Sequence, residues 1–420
     1  MSERERSGLD GERRRAGAAR PRVGVVGAGP AGLAAALALT RAGCAVALLD
    51  ARPLPAPGAP LPEEGRTVAL LQPSIELLDR LGIWRELAAE SAPLRALRLV
   101  SLPRDGAEPE ADVTFEAAEI GLPEFGRNVR IGRLRALLLD ALREAGAELV
   151  DDAAVEDVVR ERDRLLIVHG RGTLRADLVV AADGRRSPVR RALRITASER
   201  PTGRVAIGTS FTHTRPHGNV SIELHRPGGA FTMVPLPGDR SSLVWVEPEA
   251  EAKRLLGLTD AGFRAELERR VRPWLGEVGE IDRRDGYPLV GSLADRLVAP
   301  RAALLGEAAH ALSPVGAQGL NTSLRDVAVL AERVERARDR GIPPWSAEVL
   351  LAYERARLAD IRARFAVTEG LAAAVASDLA PVRLARTLGL RLLGALPALK
   401  QQVMRGLMRP MALPLPLPLP

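Results

Sequence analysis

At 420 residues the chain is too long for one domain of ordinary size, and with 46% hydrophobic and 27% charged residues it has the composition of a globular protein with a large core, not of a disordered one. The 60 basic residues exceed the 53 acidic ones for a net charge of +7, yet they are almost all arginine and form no run interleaved with aromatics, which argues against nucleic acid and leaves an anionic membrane or a phosphorylated cofactor as the partners such a charge would favour. One cysteine, Cys44, excludes an intrachain disulfide and any multi-cysteine metal site; the five histidines show no metal spacing, because Pro216 breaks any helix that would align His213 with His217.

The first 21 residues are charged and include Arg13-Arg14-Arg15. A twin-arginine signal would need an apolar region and a small-residue cleavage site after them. The uncharged run Val23 to Thr40 is long enough for a membrane span. It holds Gly27-Ala28-Gly29-Pro30-Ala31-Gly32, however, and reads as strand, turn and helix. The expectation is a disordered arm over 1–21 and a cytoplasmic protein.

Val23 to Val26 is a short apolar run, as in a buried parallel strand. Gly27 permits the tight turn, Gly29 lets main chain approach a pyrophosphate, and Gly32 lets the next helix pack close. That helix, from about Ala31 to Arg41, aims its N-terminal N–H groups at the phosphates, and Gly43 stops it. Ala45 to Leu49 is the second strand, and Asp50 follows it where an acid reads the ribose hydroxyls. Cys44, at the head of that strand, reads as a buried, inert thiol.

Pro53 to Pro62 is a proline-rich connection, and Arg66 to Leu71 begins a new unit. Ile75 to Leu87 has the period of one amphipathic helix. Leu94 to Phe115 holds two strand-like runs, and Leu134 to Ala145 is a helix ended by Gly146. Val155–Arg160 and Leu165–His169 read as a strand pair. Leu178 to Ala182 then returns to the parallel sheet and ends in Asp183-Gly184-Arg185, with Ser187 and Pro188 starting a short helix. Asp183 would not face a phosphate; it shapes the turn or meets a sugar hydroxyl.

From Val205 to about Val290 the texture changes to strands at 205–211, 220–224, 231–235 and 242–246, followed by a helix over 260–271. A third buried strand, Ala302 to Leu305, leads into Gly306-Glu307-Ala308-Ala309-His310 and on to Pro314-Val315-Gly316-Ala317-Gln318-Gly319-Leu320-Asn321. The helix after that loop aims its N-terminus into the cleft, which suits the anionic reduced form of a flavin. Three separated loops, each at the end of a strand, thus read as one FAD site. His310 reads as structural. The segment from Trp345 to Met411 is helical and apolar. Its leucines at 384, 388, 392, 393, 396 and 399 either pack on the body or meet lipid. The terminal Leu-Pro repeat is an extended tail.

On these motifs the chain resembles the class A FAD-dependent aromatic monooxygenases, and more narrowly the ubiquinone-biosynthesis flavin hydroxylases. Arg66-Thr67-Val68-Ala69-Leu70, Leu81-Gly82-Ile83-Trp84, Glu119 to Gly126, Gly316 to Asn321, Leu324-Arg325-Asp326, Ser377-Asp378, Pro381-Val382 and Met404-Arg405 carry the narrower likeness. The resemblance implies an α/β fold: a Rossmann-like FAD domain (22–93, 127–202, 298–340) interrupted by a mixed or antiparallel substrate domain (94–126, 203–297). A C-terminal helical segment (341–411) and a tail (412–420) follow. It implies that NAD(P)H, as a transient co-substrate, reduces FAD, and that dioxygen forms a flavin hydroperoxide. One oxygen then passes to the ring of a polyprenyl phenol or quinol. Gly27, Gly29 and Gly32 would hold the pyrophosphate and Asp50 the adenosine ribose. Asp183 and Gly184 would shape the second loop, Gly306 and Glu307 would meet the ribityl chain, Gly316, Gln318, Gly319 and Asn321 would line the isoalloxazine, and Arg66 would approach it. No catalytic base is expected, because the flavin carries the chemistry.

Three positions depart from the family: Asp50 for Glu, Glu307 for Asp, and Gly316-Ala317 in reversed order. Other readings are another class A hydroxylase, a prenyl reductase, a halogenase whose tryptophan signature is missing at Trp245 to Pro248, and a non-catalytic assembly homologue. The expected setting is cytoplasmic, peripheral on the inner membrane or in a ubiquinone-synthesis complex.

Overall fold

The structure is a computed structural model and describes residues 20–59, 66–103, 108–226, 228–377 and 379–408. The expected arm up to residue 19, the Leu-Pro tail and Asp378 lie outside them. The first half of the fold is a six-stranded sheet in the order Val298–Ala299, Ala302–Leu304, Leu178–Ala181, Arg22–Val26, Ala45–Leu49, Glu148–Val150. All neighbours run parallel except the first pair. Val26 pairs with Ala181 and Ala181 with Leu304. The chain therefore leaves three adjacent strands at one level, at Gly27, Ala182 and Leu305, which brings the three loops to one edge.

Both faces of this sheet are covered, as its largely apolar strands require. The helices Pro30–Arg41, Ile131–Glu144 and Gln318–Asp339 and the small sheet Val155–Arg160, Leu165–His169, Gly172–Ala176 share its core. Cys44 lies in it, 2% exposed, and burial pushes its thiol up to about 11 against the opposing charge of Arg338, so it is protonated and unreactive at neutral pH.

The second half is a nine-stranded, mostly antiparallel sheet. Its path is His310–Ala311, Asp285–Ala294, Ala197–His213, Arg240–Pro248, Gly229–Leu236, Val220–Arg226, Ala96–Ser101, Ala111–Glu116, and Val278–Ile281 pairs aside with Ala197–His213. Only Val220–Arg226 and Ala96–Ser101 run parallel. Helices Glu249–Leu256 and Asp260–Leu275 cover one face, where Ile207, Phe211, Phe231, Trp245, Phe263 and Leu267 form a second core. A three-stranded sheet, Thr67–Leu71, Gly126–Arg130 and Ala92–Leu94, stands beside it, joined through Thr67 Oγ1, which donates to Ser242 Oγ at 2.7 Å.

The single helix expected over 75–87 is two, Gln72–Arg80 and Trp84–Ala89. Gly82 at φ +64° turns the chain between them, a break the apolar period cannot register. Strands Gly172–Ala176, Val278–Ile281 and Asp285–Ala294 and helix Glu249–Leu256 were not anticipated. The boundary expected at 202/203 falls inside the strand Ala197–His213. The C-terminal segment forms helices Ala347–Ala376, Ala380–Ala395 and Pro397–Met408. The last two pack Leu390 and Met404 on Val113 and Phe115.

Candidate active site

The three loops are mostly main chain. A Cβ on Gly32 would stand 1.9 Å from the Gly27 carbonyl oxygen, so only glycine lets the Pro30–Arg41 helix sit this close to the strand. A Cβ on Gly29 would meet nothing within 4 Å. That side of the turn is open, at the N-terminus of a helix with Pro30 at its first position, and it can accept an anion. Asp50 closes the loop from behind. Its Oδ2 accepts the Ala28 N–H at 2.6 Å and its Oδ1 the Arg52 N–H at 2.9 Å. Asp50 thus shapes the glycine turn, a bond the sequence did not suggest.

The second loop lies against the first, since a Cβ on Gly27 would be 2.4 Å from the Ala182 carbonyl oxygen. Asp183 Oδ2 accepts the Val189 N–H at 3.1 Å, and Ser187 Oγ caps the same short helix by accepting from the Arg190 N–H at 2.9 Å. Asp183 Oδ1 is buried with no partner. Burial pushes this carboxyl above its ordinary range, against the hydrogen bonds from Ser187 and Val189 that lower it. Arg190, 6% exposed, joins the second loop to the third: Nη2 donates to the Arg185 carbonyl at 2.7 Å and Nη1 to the Ala308 carbonyl at 2.8 Å.

In the third loop a Cβ on Gly306 would lie 3.3 Å from Ala31 Cβ, so all three motifs meet. Glu307 points to solvent and makes no hydrogen bond or ion pair among the described residues. Gly316 and Ala317 both have left-handed φ, +67° and +55°. For alanine that costs about 1–2 kcal/mol. Asn321 holds it there, donating from Nδ2 to the Ala317 carbonyl at 2.6 Å. The same amide donates to the Ala69 carbonyl at 2.8 Å, while Oδ1 accepts from the Leu71 N–H at 2.9 Å and Ser74 Oγ at 2.7 Å. Asn321 therefore clips the Thr67–Leu71 strand to the helix and has little left to offer a ligand. Gln318 is likewise engaged, donating to the Gly316 carbonyl at 2.9 Å and accepting from Arg364. What this loop presents outward is main chain, at Gly316 and at Gly319, beside which a Cβ would meet nothing within 4 Å.

Beneath the loop runs a buried chain of charge. Asp326, fully buried, accepts the Gly306 N–H at 3.2 Å and lies 2.6 Å from His310 Nε2 through Oδ2, and it accepts Arg357 Nε at 2.7 Å through Oδ1. Arg357 reaches Asp360 at 2.6 Å, Asp360 accepts Arg364 Nε at 2.9 Å, and Arg364 returns to Gln318. Burial raises the Asp326 carboxyl, but His310 and Arg357 outweigh it and hold the group below the usual carboxylate range. His310, buried, meets Asp326 through Nε2. The rest went unread, although Arg357, Asp360 and Arg364 fall on one face of a largely apolar helix.

The nine-stranded sheet has a second face, turned away from its helices. Side chains alternate along a strand. With Ile207, Met233, Leu243 and Trp245 turned to the helices, Gly208, Thr232, Val234 and Val244 take the other face. Thr232, Val234 and Val244 are only half-buried there. At one end Arg66 lays its guanidinium 4.3 Å from the Tyr287 ring centroid. Its Cγ lies 4.0 Å from where a Cβ on Gly208 would be. Arg66 is thus at the sheet face, not within the glycine loops. At the other end stand Glu223 and His225, 8% and 6% exposed. Among the described residues no group of histidines, cysteines and carboxylates could hold a metal.

The open cradles at Gly29 and Gly319 and the orphaned Asp183 Oδ1 fit FAD: room for pyrophosphate and ring, and an acceptor for a sugar or ribityl hydroxyl. Two glycine-cradled loops beside an open sheet face define a dinucleotide-binding flavoprotein. The family described as FAD binding domain matches residues 20–363. Ubiquinone hydroxylase UbiL of Rhodospirillum rubrum is 38% identical over 385 residues, covering 91% of this chain and 88% of its own. The 3-demethoxyubiquinol 3-hydroxylase of Escherichia coli is 30% identical over 390 residues, covering 91% and 97%. In fold the chain is similar to p-nitrophenol 4-monooxygenase PnpA of Pseudomonas putida DLL-E4, with TM-score 0.72, 21% identity and coverage of 93% and 96%. The chain belongs to the FAD-binding-domain family and, within it, to the ubiquinone-biosynthesis flavin hydroxylases.

Proposed function

We propose that the chain is an FAD-dependent monooxygenase that uses NAD(P)H and dioxygen to hydroxylate the aromatic ring of a polyprenyl phenol or quinol in ubiquinone biosynthesis. The observation that carries the proposal is the meeting of three cofactor-shaped loops at one sheet edge, beside a half-open face of a second sheet. FAD, when bound, accepts a hydride from NAD(P)H and activates dioxygen for transfer of one oxygen atom.

In this reading Gly27, Gly29 and Gly32 hold the pyrophosphate against the helix N-terminus. Asp50 offers its remaining lone pairs to the adenosine ribose. Asp183 Oδ1 accepts a cofactor hydroxyl that would relieve its burial. Gly184, Gly306 and Glu307 border the ribityl chain, and Gly316 and Gly319 present main-chain N–H groups to the isoalloxazine. Gln318 and Asn321 fix that turn from behind. Arg66 and Tyr287 stand where the ring meets the substrate sheet. The test is chemical analysis of quinone intermediates in a strain lacking the gene: a precursor short of one ring hydroxyl should accumulate and disappear on complementation. An unchanged quinone profile would count against the assignment.

The finer reading places the enzyme in the cytoplasm, against the inner membrane. Among the described residues no single helix is long and apolar enough to cross a bilayer, and one bent pair, Ala347–Ala376 with Ala380–Ala395, passes only when taken together. Leu384, Leu388 and Leu392 lie four residues apart on the Ala380–Ala395 helix, 59%, 54% and 52% exposed, and Leu379 beside them is 67% exposed. Such a stripe beside arginines suits an interfacial helix. Changing these three leucines to glutamine should lower partitioning onto anionic liposomes about 1000-fold or more, since each buried leucine contributes about 1.5–3 kcal/mol. Equal partitioning would leave the stripe without this role.

A further inference from the structure

Glu223 and His225 lie two residues apart on the strand Val220–Arg226 and so share a face. That face is opposite the one on which Ile222 and Leu224 enter the helix-covered core. Glu223 stands in a row with Thr232, Val244 and Gly208, each paired to the next. The row begins beside Arg66 and ends at this pair, and its middle is half-buried. Three strand spacings separate the ends, about 14 Å. That span takes one substituted aromatic ring together with the edge of a cofactor.

His225 Nε2 lies 2.8 Å from Glu223 Oε1. The carboxylate accepts only from a protonated nitrogen, so it fixes the hydrogen on Nε2 and leaves the lone pair on Nδ1. Nδ1 is buried and has no partner. A buried acceptor without a donor is destabilising unless something supplies the donor. A phenolic hydroxyl lying over Val244 and Thr232 supplies one.

We propose that His225, oriented by Glu223, accepts the hydroxyl proton of the phenol to be hydroxylated. The inference rests on the monooxygenase reading above. The phenol O–H bond breaks and an Nδ1–H bond forms, and the Glu223 carboxylate balances the imidazolium charge. The resulting oxyanion makes the ring a stronger nucleophile toward the oxygen that FAD activates. NAD(P)H supplies two electrons and dioxygen the oxygen atom, the second oxygen leaving as water. As the ring rearomatises, the attacked carbon releases its hydrogen as a proton and the imidazolium returns its proton to the ring oxygen. His225 is then a catalytic residue and Glu223 a positioning residue.

The test uses the full-length holoenzyme, NADPH and a short-tailed prenyl phenol, beside the same phenol fluorinated on the ring so that its hydroxyl ionises more readily. Rates are compared per bound FAD in wild type, His225→Gln and Glu223→Gln. His225→Gln should slow hydroxylation of the parent phenol about 100-fold or more, as loss of a general base does. With the fluorinated phenol the deficit should shrink to about tenfold or less, because an acidic phenol needs the base less. Glu223→Gln should fall between. Binding of the parent phenol at neutral pH should produce a phenolate absorbance band in wild type and none in His225→Gln, a readout independent of turnover. Equal deficits for the two phenols, no deficit, or a phenolate band unchanged by His225→Gln would overturn the role of His225. A wild type that binds FAD and phenol yet makes no hydroxylated product would instead overturn the reading on which the role rests.

Discussion

Where the three loops leave the six-stranded sheet, the site is built of main chain: open glycine turns, helix N-termini, and side chains such as Asp50, Gln318 and Asn321 folded back to hold those turns. Across from it the nine-stranded sheet offers side chains, with Arg66 and Tyr287 at one end, Glu223 and His225 at the other, and small residues between. The difference follows from what each side must recognise. A pyrophosphate and a flavin edge are the same in every turnover, and fixed N–H dipoles, which need no reorganisation, suit such a ligand. A substrate ring is selected by what is placed opposite each of its substituents, and only side chains vary enough to do that.

The largest expected effect separates shape from contact within the glycine loop. Gly32→Val would drive a side chain into the Gly27 carbonyl, at a cost of about 3 kcal/mol or more, and should yield protein that neither folds cooperatively nor binds FAD. Gly29→Leu enters open space. Its thermal unfolding without cofactor should match wild type, while FAD affinity, read by flavin fluorescence, falls at least about 100-fold, or 2.7 kcal/mol. If Gly29→Leu still bound FAD normally, the open side of that turn would not be a cofactor cradle.

Next comes the buried charge chain that braces the third loop. Asp326→Asn should destabilise the protein by about 1.5–3 kcal/mol in denaturant titration, because it leaves the buried Arg357 with Asp360 alone to balance its charge. The pH dependence has a defined sign. The Asp326 carboxyl lies below its unfolded value, so its contribution is complete above about pH 4 and declines as pH falls further, through its own lower value. The gap between wild type and variant should be constant from pH 5 to 8, roughly, and should close only in acid. A gap that opened instead on the alkaline side would contradict an ionised Asp326.

Asp50→Ala gives the smallest effect. It deprives the Ala28 and Arg52 N–H groups of their acceptor. A loss of about tenfold in FAD affinity, 1.4 kcal/mol, with the fold retained, is expected from isothermal titration. No loss would mean that the glycine turn holds its shape without the carboxylate.

The same contrast explains what the sequence discloses. The glycine loops were legible because each motif is contiguous and sits between a strand and a helix, so spacing alone places Gly27, Gly29, Gly32 and Asp50. Register between distant strands is not written locally. Nothing near residue 223 announces that Glu223 stands in line with Gly208, or near residue 66 that Arg66 lies over Tyr287. Asn321 and Gln318 were read as lining the cofactor because they belong to the motif, yet their amides are spent on Ala69, Leu71, Gly316 and Arg364, partners that only the fold supplies. The spacing of Arg357, Asp360 and Arg364 puts them on one helix face, yet nothing local names their target, Asp326, and the face went unread.

In the proposed reading, one flavin held by loops from three strands delivers an oxygen atom to a ring on the neighbouring sheet. It is tested most directly by turnover of the FAD-reconstituted protein with NAD(P)H and a prenyl phenol under isotopically labelled dioxygen. One labelled oxygen in the new ring hydroxyl, and no product without oxygen, are expected. Product formed anaerobically, or oxygen drawn from water, would contradict it.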